Sequence, residues 1–141
     1  MRYIVLDTNC LIACIGFSSA YRLVWDFFIN NKFVLCISNE ILTEYEEVLA
    51  KKTSKEVANN IIETIVNRKN TIFINPAYRF NLIAADPDDN KFVDCAIIAD
   101  ADYIVSNDSH FDILKNIDFP KVNVISIKDF VKYLELSDSK Y

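Results

Sequence analysis

Short apolar runs alternate with longer amphipathic stretches along this chain. The first run, Tyr3-Ile4-Val5-Leu6, leads straight into Asp7. Its β-branched and aromatic residues suit a strand covered on both faces. Comparable runs at 33–37, 71–74, 103–106 and 122–125 predict four further strands. Between them, polar starts followed by apolar residues at helical spacing predict helices. Ser18 and Ser19 are cap candidates for a helix over 20–29, Ser38 caps one over 39–50, and another spans 54–67. Asp86-Pro87-Asp88-Asp89 joins an acidic cap, a Pro at the first helical position and acids in the first turn, so a helix runs from there to about 101. A short helix over 109–116 and a last one over 127–136 follow. The stretch 78–84 fits neither period. Residues 137–141 read as a frayed polar tail behind a single domain spanning 1–136.

Strands alternating with helices predict an α/β fold, a central parallel sheet flanked on both faces by helices in three layers. In such sheets ligands bind beyond the carboxyl ends of the strands. Two strands end there on similar chemistry: Asp7-Thr8-Asn9 after the first, Ser106-Asn107-Asp108 after the run that begins at Tyr103.

Composition narrows the possibilities. With 52% hydrophobic and 25% charged residues, the 141-residue chain has the make-up of a folded protein. Its one Gly excludes the glycine-rich phosphate loops of nucleotide-binding proteins. The formal charge of −5 argues mildly against a general nucleic-acid binder, although a carboxylate cluster built for a divalent cation raises the acid count by itself. The acids do cluster, eight aspartates falling between Asp86 and Asp112. Cys10, Cys14, Cys36 and Cys95 sit among apolar residues without a zinc-type spacing and read as buried, reduced thiols. The sequence enters a strand at once and has no apolar run long enough to span a bilayer, which leads to the expectation of a cytoplasmic protein with no membrane partner.

The acids differ in what they tell. Asp7 is equally well explained as the cap of a following helix or as a metal-binding carboxylate. Asp94 is sharper. On a wheel drawn from Phe92, the apolar residues 92–93 and 95–99 leave one wedge open, at roughly 200°, and Asp94 fills it. A carboxylate on a helix apolar nearly all round needs a cation or a site, because burying it alone costs several kcal/mol. Lys91, one turn back, is the basic residue close by, so a site is favoured over an ion pair. In the helix over 39–50, Glu40 and Glu47 point to solvent, while Glu44 and Glu46 flank the apolar stripe on opposite sides and the wheel does not choose between them. Asp108 ends its strand as Asp7 does, with Asp112 a turn further on. Asp86, Asp88 and Asp89 are explained by capping. His110, the only His, reads as an exposed loop residue. Carboxylates gathered on one sheet edge repel unless a hard cation, Mg²⁺ or Mn²⁺, lies among them.

Val5-Leu6-Asp7-Thr8-Asn9, the segment from Ser38 to Tyr45 with Glu44, Asp94 on its helix, and Ser106-Asn107-Asp108 together resemble a PIN domain over almost the whole chain, to about residue 134. The tract from Asp86 to Phe92 followed by Ala101 to Asp108 is similar to toxin-type, VapC-like PIN proteins of prokaryotic toxin–antitoxin pairs. The resemblance implies a three-layer α/β/α fold and a metal-dependent endoribonuclease using Mg²⁺ or Mn²⁺. It implies Asp7, Glu44, Asp94 and Asp108 as the catalytic, metal-binding acids, choosing Glu44 over Glu46. Thr8, Asn9 and Ser106 would support them, with Asp112 a less secure match. It also implies RNA as substrate, a small antitoxin as partner, and a homodimer. One departure is Asn107, where related sequences often carry Gly. Lys51, Lys52, Lys55, Arg68 and Lys69 are candidate RNA contacts flanking the acidic edge. Two other readings compete: a PIN-like module that binds RNA or protein without cutting, and a phosphatase of the haloacid-dehalogenase type. The second needs an acid two positions after Asp7, where this chain has Asn9.

Overall fold

The computed structural model describes residues 1–84 and 86–138. Five parallel strands, β1 (Tyr3–Leu6), β2 (Val34–Ile37), β3 (Thr71–Phe73), β4 (Tyr103–Val105) and β5 (Val124–Ile125), form one sheet in the order β3-β2-β1-β4-β5. The chain builds outwards from β1 to one edge, then returns past it to build the other. Right-handed crossovers in opposite directions cover opposite faces, which produces the three layers. The helices are α1 (Thr8–Ile15), α2 (Arg22–Ile29), α3 (Asn39–Lys52), α4 (Lys55–Asn67), α5 (Asn90–Ala99) and α6 (Ile127–Asp138). Short 3-10 helices cover Pro87–Asp89 and Ser109–Asn116.

Local chemistry sets the helix starts. Ser38 and Ser54 accept from the backbone N–H of Ile41 (3.3 Å) and Val57 (3.1 Å), so each closes an orphan donor of the helix it precedes. Lys51 and Lys52 stand in the last turn of α3, at the negative end of its dipole. The sequence's scarcity of Gly shows at the left-handed positions: Asn31, Asn81 and Asp100 have φ of 60°, 53° and 52°. Asn and Asp tolerate that region best after Gly. The Asp86 start begins as a 3-10 turn before α5 forms, and α5 stops at Ala99 against the αL residue Asp100, two residues short of the expected end. The segment 109–116 is a 3-10 rather than an α-helix. Residues 137 and 138, expected in the frayed tail, continue α6. The rest of that tail, 139–141, lies outside the described residues.

The core forms between sheet and helices. Ile4, Val5 and Leu6 of β1 and all of β2 are buried, as their composition requires, and α5 packs across β1, β2 and β4. Tyr45 of α3 is fully buried and donates its hydroxyl to the Leu6 carbonyl at 2.6 Å. This bond satisfies the last carbonyl of β1, where the strand gives way to Asp7. All four cysteines are free and buried. Burial pushes the Cys14 and Cys36 thiols up to about 12.

Two measurements check this core. Tyr45→Phe leaves the Leu6 carbonyl without its donor, and equilibrium denaturation should show a loss of about 1–3 kcal/mol. Cys14 and Cys36 should stay unreactive towards a thiol reagent at pH 8, where their thiols remain protonated, and become reactive on unfolding.

Candidate active site

The carboxyl edge at β1 and β4 is the point where the strand order reverses. Leu6 pairs with Val105 in register, so Asp7 and Ser106 leave the sheet side by side. The Asp7 carboxylate is buried, 7% exposed, and both its oxygens are used. Oδ1 accepts from the Cys10 N–H at 2.8 Å and caps α1, while Oδ2 accepts the Ser106 hydroxyl. The same Ser106 oxygen accepts from the Asp108 N–H at 3.0 Å. Asp108 in turn caps the 3-10 helix by accepting from the His110 N–H at 2.9 Å. Asp7 and Asp108 line one cavity of about 240 Å³ with Asn9, Cys10 and Asn107. Of the two readings of Asp7, the structure shows the cap, made by Oδ1; Oδ2 is tied across the switch point to Ser106.

Glu44 joins from α3. Its Oε2 accepts the hydroxyl of Thr8, the residue next to Asp7. Its Oε1 lies 2.9 Å from the Lys91 ammonium, which is mostly buried and also donates to the Asp88 carbonyl at 2.6 Å. Glu46, the other flank of the stripe, is exposed and lines a separate cavity between α3 and α4. Side-chain geometry thus resolves what the helical wheel left open.

Asp94 is 1% exposed. Its Oδ1 accepts from the Phe80 N–H at 3.1 Å, and its Oδ2 is 3.9 Å from the Arg79 guanidinium, which itself pairs with Glu40. Burial raises the Asp94 pKa, and the Phe80 hydrogen bond offsets part of the effect. No direct hydrogen bond ties Asp94 to Asp7, Glu44 or Asp108 among the described residues. Around it, Lys91, one turn back on α5, reaches Glu44, and Arg79 of the 78–84 stretch reaches Glu40 of α3. Glu40 faces solvent as expected and also pairs with Arg79.

The supporting residues divide. Thr8 and Ser106 are buried and grip Glu44 and Asp7. Asn9 is exposed, with its oxygen 3.5 Å from the Lys52 ammonium. Asp112 is exposed, pairs with Lys115 at 3.6 Å, and shares a cavity of about 380 Å³ with Ser106 and Asp108.

Three placements differ from the sequence reading. His110, expected in an exposed loop, is partly exposed but lies in the 3-10 helix among acids. Its Nδ1 stands 3.2 Å from Asp89, 3.4 Å from Asp108 and 3.7 Å from Asp86, and the hydrogen bond with Asp89 raises its pKa. Asp86, Asp89 and His110 bring their ligand atoms within 4.8 Å of one another. The Asp108 cap folds His110 back onto acids 21 and 24 positions earlier, a closure that no local pattern reveals. Arg79, the cation nearest Asp94, comes from the 78–84 stretch that fitted neither period. Finally, Arg68 bonds to the Ile29 carbonyl (2.5 Å) and to Asn31 (3.0 Å), ahead of β2, and lines a surface cavity with Lys69. Both sit at the amino-terminal edge, opposite the acids, while Lys52 does stand beside them at Asn9.

Because burial disfavours the Asp94 charge, Asp94→Asn keeps an acceptor for the Phe80 N–H and removes that penalty. Thermal unfolding in chelator at pH 7 should show the variant more stable than wild type, on the order of 1 kcal/mol. The sign follows from the raised folded-state pKa: the wild-type penalty is full above that value and fades as pH falls through it.

The PIN-domain family profile matches residues 3–110. A search of curated proteins finds no match. Among solved structures, VapBC2 from Rickettsia felis bound to a promoter DNA fragment superposes with a TM-score of 0.61 and 18% identity, covering 89% of this chain and 98% of that one. DNA-bound VapBC from Salmonella typhimurium gives 0.62 and 20%, covering 90% and 99%. The Mycobacterium tuberculosis toxin VapC20, which cleaves the sarcin–ricin loop, gives 0.57 and 13%, covering 77% and 92%. At these identities the superpositions establish the fold, and the profile match establishes the family: the chain belongs to the PIN-domain family.

Proposed function

We propose that this protein is a metal-dependent endoribonuclease and the toxin of a toxin–antitoxin pair. The observation that carries the reading is the hydrogen-bonded line Asp7–Ser106–Asp108 at the sheet's switch point, with Glu44 fastened beside it through Thr8. In this reading Asp94, buried and one helical turn from Lys91, would be the fourth acid. The donors fit Mg²⁺ or Mn²⁺: all are carboxylate oxygens, as hard cations require, and the nearest cationic atom to Asp94 Oδ2 is a guanidinium nitrogen at 3.9 Å.

Asp7, Glu44, Asp94 and Asp108 would hold the ion, which when bound supplies water activation and stabilises charge on the leaving oxygen. The chain's own groups do the positioning. Ser106 and the Cys10 N–H fix both oxygens of Asp7, and Thr8 fixes one oxygen of Glu44, so neither carboxylate is free to turn away. Lys91 neutralises Glu44 from the side of α5. Hydrolysis of an RNA phosphodiester would leave a 5′-phosphate and a 3′-hydroxyl. The VapBC complexes and the VapC20 toxin among the structural neighbours support a small antitoxin partner and an RNA substrate. Asp112, on the rim, would support Asp108 in this scheme. No helix among the described residues is long and apolar enough to cross a membrane.

Incubating labelled RNA with the protein in Mg²⁺ or Mn²⁺ should yield cleavage that a chelator abolishes. Asp94→Asn should lower the rate at least about 100-fold, the scale of losing a positioned acid or a metal's support. Cleavage by the variant at the wild-type rate would refute the site assignment.

A further inference from the structure

The irregular segment 74–84 carries none of the four acids, yet it is fastened to one of them. It leaves the sheet at the carboxyl edge, where the Ile74 N–H donates to the Ile37 carbonyl at 2.6 Å. Two side chains one turn apart on α5 then clamp its backbone. Asn90 accepts from the Ile83 N–H at 2.8 Å and donates to the Ile83 carbonyl at 2.9 Å, and Asp94 accepts from the Phe80 N–H. Arg79 lies next to this second anchor, paired with Glu40 and 3.9 Å from Asp94. The segment is thus held in fixed register with Asp94 by hydrogen bonds from its main chain to the α5 side chains.

Its outward face is aromatic. Tyr78 is 64% exposed, and Phe73, where β3 ends, is 47% exposed. Phe80 meets Tyr78 with ring centroids 4.6 Å apart and planes at 64°. A tilted edge contact of that kind occupies at most one face of the Tyr78 ring and leaves the other open. Tyr78 is followed at once by Arg79, and an exposed ring with a guanidinium on the next residue is a combination suited to single-stranded nucleic acid: the base stacks and the Arg takes a backbone phosphate. Glu40, the present partner of Arg79, is itself half exposed, so exchanging it for a phosphate oxygen breaks no buried pair. Duplex RNA keeps its bases stacked on one another and has no face to offer Tyr78.

We infer that Tyr78 and Arg79 form a substrate subsite for an unpaired nucleotide of RNA, Tyr78 stacking its base and Arg79 binding the adjoining phosphate. The inference rests on the nuclease reading above and adds which side chains would take a nucleotide beside Asp94. Tyr78 is surface-exposed, so its replacement leaves the core intact.

The test is fluorescence anisotropy with a labelled, unstructured oligoribonucleotide, in an Asp7→Asn background that keeps the α1 cap and prevents cleavage. Adding Tyr78→Ala should weaken binding roughly 5- to 100-fold, the range for loss of one stacked base, while Tyr78→Phe retains it. Arg79→Ala should weaken binding and lower the slope of log affinity against log salt by about one. The same oligomer annealed to its complement should bind with an affinity that Tyr78→Ala leaves unchanged. Cleavage of the single strand by the wild-type protein is measured alongside. If the wild type cuts that RNA but Tyr78→Ala binds within twofold of its parent, or weakens duplex and single strand alike, the subsite is refuted and the nuclease reading stands. If the unsubstituted protein neither cuts nor binds RNA, both fall.

Discussion

Both oxygens of the Asp7 carboxylate are held, one by the first turn of α1 and one by the hydroxyl that ends β4. The first caps α1 locally; the second joins the two strands on either side of the switch point. Tyr45 closes the carbonyl just before Asp7 from a third element, α3. The residue after it, Thr8, holds Glu44. Through Ser106 the same line continues to Asp108. A carboxylate placed by three secondary-structure elements is pre-organised, and other groups at the edge take their positions from it.

Much of this was legible in the sequence, for identifiable reasons. Composition and capping residues are local signals, so the strands, the Ser38 cap and the Asp86 start were readable. The lone acid on an otherwise apolar helix identified Asp94 as buried without reference to any fold. What local pattern lacks is distance. The cap-or-site question about Asp7 had no answer in one dimension, because the second oxygen's partner lies 99 positions away at Ser106. Glu44 and Glu46 are equivalent on a wheel and distinct only once Thr8 and Lys91 stand on one side of α3. Arg79 was hidden in a segment without a period, since its place is set by main-chain bonds to Asn90 and Asp94 rather than by its own sequence. Arg68 and Lys69 were assigned to the wrong edge because a helix followed by a strand shows no direction until the sheet order is known.

Charge ties site and surface together. A chain of net charge −5 that acts on RNA, as proposed, would need cations where the approach occurs. Arg79, Lys91 and Lys52 stand at the carboxyl edge, each engaged with a carboxylate or a polar group of the candidate site. The proposed acid set and the Asp86, Asp89 and His110 cluster adjoin at Asp108, which is bonded to Ser106 on one side and lies 3.4 Å from the His110 ring on the other. They differ in donor chemistry. Asp7, Glu44, Asp94 and Asp108 offer oxygen alone, whereas Asp86, Asp89 and His110 add an imidazole nitrogen. Hard cations select the first kind of set.

Crystals grown or soaked in Mn²⁺ and measured at a wavelength where manganese scatters anomalously test the central claim directly. An anomalous peak bounded by Asp7, Glu44, Asp94 and Asp108, and lost in Asp94→Asn crystals, is the result expected. A peak held instead by Asp86, Asp89 and His110, with none among the four acids, would contradict it.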